Sequence, residues 1–190
     1  MLENNKKTIK KIVIAATLFV LTGYLSLVFH ELGHSLVYVS YNMKIKQIVV
    51  FPGIELYPVF GKKIFYKSIV YGSVKLEDYT YPASAAQNGF ALFMGSGLNA
   101  IMSILATVSL RLFKPKRIAA ITLLFITLWI YDILIYSFNN DFRGAEPING
   151  LVMMGLSSSL AYVAVISISF FSILSSILYV KNYLLEKDIL

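Results

Sequence analysis

Residues 12–41, IVIAATLFVLTGYLSLVFHELGHSLVYVSY, decide the fold of this chain. The first part of this stretch, Ile12 to Phe29, contains no charged residue and is long enough to cross the hydrocarbon core of a bilayer. A secretory signal peptide starts similarly, but its apolar region is shorter and ends at a small-residue cleavage site. Here the apolar run continues directly into the HELGH motif at residues 30–34. The stretch therefore predicts one long, uncleaved membrane helix with a polar motif near its end.

The rest of the chain has the same apolar character. Of its 190 residues, 57% are hydrophobic and only 14% are charged, which is too little polar surface for a soluble domain of this length. Beyond the first span at about 12–41, long apolar blocks predict spans at about 83–112, 118–138 and 147–180. We expect a mainly α-helical, polytopic membrane protein in which residues 1–190 form a single membrane-embedded domain.

Residues 45–75 follow a different pattern. They are rich in Val, Ile, Tyr and Phe, and Pro52-Gly53, Pro58 and Gly72 interrupt them. This pattern predicts short strands joined by turns, forming a small strand-rich segment at the membrane surface. Such a segment could bind an unfolded substrate by strand addition, or it could be a surface hairpin that covers the active site.

The basic residues flank the predicted spans. The net charge is +7, and lysines and arginines cluster before the first span, at 111–117 and after the last span. The positive-inside rule explains this distribution without a nucleic-acid partner. We therefore expect a multi-pass protein of the cell membrane, with the bilayer as its surroundings and both termini in the cytoplasm.

The HELGH motif carries the strongest chemical signal. His30 and His34 are the only histidines, and cysteine is absent, so any metal must be held by His, Asp or Glu. Histidines four residues apart lie on one face of a helix and can bind one Zn²⁺. The intervening Glu31 can act as general base toward the attacking water. A carboxylate in a membrane helix is costly, which favours a functional role for Glu31.

A catalytic zinc site needs a third protein ligand, and three acids are candidates. Asp132 lies inside the third apolar block, where an unpaired carboxylate is expensive, so it could be a ligand or could orient one. Asp141 and Glu146 lie in or next to the loop that follows. In a four-span topology, this loop and the end of the first span emerge on the same side. The residues alone leave the choice open.

Two stretches resemble the site-2-type intramembrane zinc metalloproteases, in particular their short members without a PDZ domain. HELGHSLVYVSYNMKIKQIVVFPG, residues 30–53, is similar to the metal-binding helix of that family and its strand-rich continuation. GSGLNA, residues 95–100, resembles the Gly-Pro-x-x-Asn stretch of the next family helix, with Gly97 in place of proline. The usual Leu-Asp-Gly is absent, and Asn149 stands where its Asp would be expected.

This resemblance implies a set of roles. By position, the third metal ligand is Glu146, with Asp132 as the alternative. Asn99 would bind the substrate backbone or the oxyanion, although a Gly-x-Gly stretch with Ser and Asn also serves close helix packing. The implied function is zinc-dependent hydrolysis of a peptide bond in or near a transmembrane segment of a membrane protein.

Two other functions compete with this one. A catalytically inactive, protease-like scaffold is favoured by the missing Leu-Asp-Gly, but a structural zinc site has no need of Glu31. A metal or solute transporter is disfavoured because the four predicted spans show no internal repeat and no paired broken helices.

Overall fold

The computed structural model describes residues 2–64, 72–77, 84–113, 115–138 and 146–187. These residues form six helices and a three-stranded sheet that follows the first helix, which confirms the predicted fold class. In chain order the elements are α1 (Leu2–Ser40), β1 (Ile45–Val50), β2 (Ile54–Tyr57), β3 (Ser73–Leu76), α2 (Ala85–Phe113), α3 (Arg117–Thr127), α4 (Ile130–Phe138), α5 (Glu146–Met153) and α6 (Ser158–Lys187).

Four helical segments among the described residues are long and apolar enough to cross a membrane: Thr8–Ser40, Ala85–Phe113, Ile118–Phe138 and Ser158–Leu178. The third segment combines α3 and α4, which a turn at Leu128 and Trp129 separates. The chain is accordingly a multi-pass membrane protein.

The predicted span at 147–180 is divided into two helices. The short helix α5 ends at Met153, and α6 begins at Ser158. Gly155 has a φ of +105°, a conformation typical of the residue that follows a helix C-terminus. The Ser157 hydroxyl accepts a hydrogen bond of 3.4 Å from the Leu160 amide and so caps the start of α6. Glu146 therefore opens a short helix of its own.

The sheet has the order β2-β1-β3, and β1 is antiparallel to both neighbours. Three consecutive residues of its central strand, Ile48, Val49 and Val50, are buried. Both β1 and β3 contact α1, so the sheet lies against that helix. The strand-rich segment predicted at about 45–75 is confirmed.

Helix α2 is the central element, and it contacts each of the other five helices. Two glycine contacts bring its neighbours unusually close. A Cβ at Gly33 of α1 would collide with the Met94 carbonyl of α2, and a Cβ at Gly89 of α2 would collide with the Gly150 carbonyl of α5. Only glycine permits such backbone approach, and this approach places α1 and α5 around the same part of α2.

Candidate metal centre

Three buried side chains from α1 and α5 converge on one point. The Nε2 atoms of His30 and His34 are 3.2 Å apart. The Oε2 atom of Glu146 lies 3.5 Å from each of these nitrogens. The three side chains form a group that could hold a metal ion. The structure thus brings together the two motif histidines and one of the three candidate acids.

The other nitrogen of each histidine is held by a hydrogen bond. His30 Nδ1 donates to Asp132 Oδ2 at 2.9 Å, and His34 Nδ1 donates to the Ala91 carbonyl at 2.7 Å. A carbonyl and a carboxylate can only accept, so the network assigns a hydrogen to both Nδ1 atoms. In the neutral rings, each Nε2 therefore presents a lone pair to its partner and to Glu146.

This arrangement fits a metal ion. Glu146 Oε2 is buried and has no hydrogen-bond partner among the described residues. Three lone-pair atoms that face one another repel unless a proton or a metal ion lies between them, and a metal ion can be bound by all three at once. Ligands 2.0–2.1 Å from a tetrahedral zinc lie about 3.3 Å apart, which agrees with the observed separations of 3.2 to 3.5 Å. Two imidazoles and one carboxylate also form a donor set of the catalytic kind, which leaves a fourth position open.

Helix α2 passes directly over the two imidazoles at Gly95. A Cβ at this position would lie 2.9 Å from His30 Nε2 and would also collide with His34 Nε2. The missing side chain therefore leaves room where the three ligand atoms meet.

Helix α4 fixes the His30 ring from two directions. Asp132 bonds its Nδ1 atom, and Tyr136 stacks on its face with ring centroids 4.3 Å apart and an interplanar angle of 27°. A carboxylate behind a ligating histidine sets the tautomer and orientation of the ring. The structure thus places Asp132 beside His30 but on the nitrogen that faces away from Glu146.

Glu31 is buried between α1 and the sheet. Its carboxylate is packed against Gly72, the residue before β3, where a Cβ would collide with it. The strand-rich segment therefore covers Glu31, while His30 and His34 on the same helix are reached by α2. The role of Glu31 as a general base stays a prediction.

Asn99 lies in the interface between α2 and α1. Its Nδ2 atom donates to the Ser26 carbonyl at 3.0 Å and also to the Ser26 hydroxyl at 3.1 Å. Asn99 is fully buried, and these hydrogen bonds show that its Nδ2 atom takes part in the packing of α2 against α1. The substrate-binding role of Asn99 stays a prediction. Asp141, the remaining candidate acid, lies outside the described residues.

Three contributors to the site were missed by sequence reasoning. They are the Ala91 carbonyl, Gly95 and the Tyr136 ring. A signal existed only for Gly95, which belongs to the GSGLNA stretch. A backbone carbonyl leaves no mark in the residue type, and Tyr136 is one of 13 tyrosines in the chain.

The model of peptidase family M50 matches residues 17–184 of the chain. The match covers both histidines of the motif, Glu31, Asp132 and Glu146. No curated protein and no solved structure matches the chain significantly.

Proposed function

The chain belongs to peptidase family M50, the site-2 protease family, and from this premise we propose that it is a zinc-dependent intramembrane endopeptidase. Its substrate would be a membrane protein, cleaved in or near a transmembrane segment. The family identifies a metallopeptidase, and the four membrane-length helical segments among the described residues support a multi-pass membrane protein.

One observation carries this proposal. The buried Glu146 Oε2, which has no hydrogen-bond partner among the described residues, faces the lone pairs of His30 Nε2 and His34 Nε2. Burial of a carboxylate beside two acceptor nitrogens is unfavourable unless a proton or a metal ion lies between them, and a metal ion would be bound by all three side chains. We therefore assign His30, His34 and Glu146 as the zinc ligands.

Asp132 takes a different role in this assignment. It accepts a hydrogen bond from His30 Nδ1, so it orients the ring and raises the basicity of the ligating nitrogen. The Ala91 carbonyl does the same for His34. Asp132 was the alternative third ligand from the sequence, and its bond to the far nitrogen favours Glu146 instead.

The proposed reaction is the hydrolysis of an amide. A zinc ion bound to these residues would polarise the scissile carbonyl and increase the acidity of water at the open position. Glu31 would take a proton from the attacking water and pass it to the departing amine nitrogen as the C–N bond breaks. The covering strands and the burial of Glu31 would limit access by bulk water during these steps.

We also propose the placement of the protein. Residues 1–190 form one membrane-embedded catalytic domain in the cell membrane, with both termini in the cytoplasm. The lysine-rich start of the chain and the basic residues at 111–117 support this orientation.

Zinc content and cleavage, measured on the same variants, test the proposed function. We expect about one zinc per chain in the purified wild type and in Glu31→Gln, and little in His34→Ala and Glu146→Ala. Glu31→Gln should abolish cleavage of a model single-span peptide in liposomes, because it keeps the ligands and removes the base.

The outcomes separate the candidates. Cleavage that survives in Glu31→Gln would contradict the mechanism. A wild type that binds zinc but cleaves no member of a panel of single-span peptides would favour the non-catalytic scaffold.

A further inference from the structure

A cavity of about 660 Å³ lies between α1 and the α3–α4 pair. Its walls are mainly apolar and include Phe19 and Leu27 of α1, Phe125 of α3 and Ile135 of α4. Phe51, in the turn after β1, closes it on the side of the sheet. This volume lies within the roughly 300–1,000 Å³ of ligand sites.

The cavity lies where α1 carries a glycine and the facing span contains a turn. A Cβ at Gly23 would have no atom within 4 Å among the described residues. Opposite, the turn at Leu128 and Trp129 interrupts the span between α3 and α4, and both residues line the cavity. The gap is therefore part of the helix arrangement.

One end of the cavity reaches the two residues that support the His30 ring. Asp132 and Tyr136 are part of its wall, and both contact the His30 ring on their other side. An occupant of the cavity therefore lies one side chain away from a proposed zinc ligand.

The cavity can also be reached from the hydrocarbon region. Three residues of its wall, Phe19, Tyr131 and Ile135, are 56%, 45% and 59% exposed. Both helical walls belong to segments long and apolar enough to span the membrane. The cavity therefore opens laterally toward the hydrocarbon region of the bilayer.

We propose that this cavity is a specificity pocket for bulky apolar side chains of a substrate's transmembrane segment, on the side of His30 that faces away from Glu146. This inference rests on the proposed endopeptidase function. Its chemistry follows from the wall, where the single charged residue, Asp132, is already bonded to His30. Aromatic and branched aliphatic side chains fit, and acidic ones are rejected. An occupant of the cavity would contact Asp132 and Tyr136, which both contact His30, and this favours a substrate side chain over a lipid chain as the occupant.

Photo-crosslinking tests the pocket independently of cleavage. The Glu31→Gln protein is reconstituted with zinc in liposomes, together with a Lys-flanked, Leu- and Ala-based single-span peptide that carries one benzophenone side chain. Mass spectrometry should place the crosslinks within residues 19–27 and 125–136. Introducing Gly23→Leu, which projects a branched side chain into the cavity, should lower the crosslink yield at least fivefold, with zinc per chain unchanged.

Two variants control this experiment. Val20→Leu adds bulk to α1 at a position that is 69% exposed and outside the cavity wall, so the yield should not change. Gly23→Ala adds one methyl group without a clash and favours the helix, so the protein should fold and the yield should fall less than with leucine. Equal yields in wild type and Gly23→Leu, or crosslinks spread over all lipid-facing helices, would overturn the pocket. A lipid that co-purifies in the cavity and stays bound in excess peptide would overturn it as well.

Cleavage of the same peptide separates this proposal from the proposed function. With Glu31 intact, Gly23→Leu should lower kcat/KM at least tenfold for a peptide with Phe at the position that crosslinks to the cavity, and less for one with Ala there. Cavity crosslinks without any cleavage would contradict the endopeptidase and leave the pocket standing. Cleavage that Gly23→Leu leaves unchanged would contradict the pocket alone.

Discussion

The two sides of helix α1 are packed in opposite ways. Toward α2, the contact of Gly33 with Met94 lets the backbones approach until a single methyl group would not fit. Toward α3 and α4, the space beside Gly23 is open and belongs to the large apolar cavity. The tight side holds the ligand atoms together, and the loose side faces the bilayer. In α1, Gly33 thus allows the close helix contact that brings the ligands together, whereas Gly23 leaves space for a bound side chain.

The largest difference is expected when glycine is exchanged for alanine at the metal centre and, for comparison, at the cavity. Gly95→Ala places a methyl group against the Nε2 atoms of His30 and His34, so we expect zinc and cleavage activity to be lost. The same change at Gly23 meets open space and should keep about one zinc per chain. Metal analysis of both purified proteins gives the result. Zinc retained at wild-type affinity in Gly95→Ala would contradict the placement of the site.

A second change sharpens the contrast between the two histidines of the tight side. His30 depends on the Asp132 carboxylate, whereas His34 depends on the Ala91 backbone, which no substitution removes. Asp132→Asn should weaken zinc binding by about 10- to 100-fold, since partners behind metal ligands have effects of this size. Competition with a chelator of known affinity measures the change.

The matched control is another buried acid. Glu55 lies in the sheet, where Gln47 donates to it at 2.7 Å, and Glu55→Gln should leave zinc affinity unchanged. A total loss of zinc in Asp132→Asn, as large as in Glu146→Ala, would instead make Asp132 a direct ligand.

The smallest expected effect concerns a tight contact that holds no ligand. Gly72→Ala pushes against the Glu31 carboxylate and should lower kcat by roughly tenfold with zinc per chain unchanged, because small displacements of a catalytic group are costly. Ser73→Ala, at the next position, serves as the control in a cleavage assay with parallel metal analysis. Loss of zinc in Gly72→Ala would mean that the sheet supports the ligands rather than the base.

The sequence was sufficient for the features that depend on local geometry. His30 and His34 are four residues apart, so the helix itself brings them to one face, and their Nε2 atoms do meet. The membrane spans follow from the length of the apolar blocks, and the strands follow from their β-branched and aromatic content. Each of these predictions could be made from a single segment of the chain, without knowing how the segments pack together.

The choice between Asp132 and Glu146 could not be made in this way. It depends on how far α4 and α5 each reach toward α1, and the glycine contact between α2 and α5 decides that distance. Both acids lie far from His30 in the chain, and either would have satisfied a chemical argument from residue type. The structure places one on each side of the same ring.

The two helix breaks differ in how visible they are in the sequence. Gly155 and Ser157 are ordinary signals for the end of one helix and the start of another, and a close look at GLSSS would have divided the span at 147–180. The turn at Leu128 and Trp129 has no glycine or proline. That break follows from tertiary packing, so the sequence gives no warning of the cavity beside it.

The short helix α5 also determines when the site can exist during synthesis. The two histidines lie on α1, and their pairing is complete within about one helical turn. Glu146 arrives only after α2, α3 and α4 have been made and inserted. Until α5 is made, a nascent chain therefore carries only two of the three proposed ligands, and any activity that needs all three must wait until α5 packs against α2. Metal binding would then link α1 to α5 and so stabilise the assembled helices.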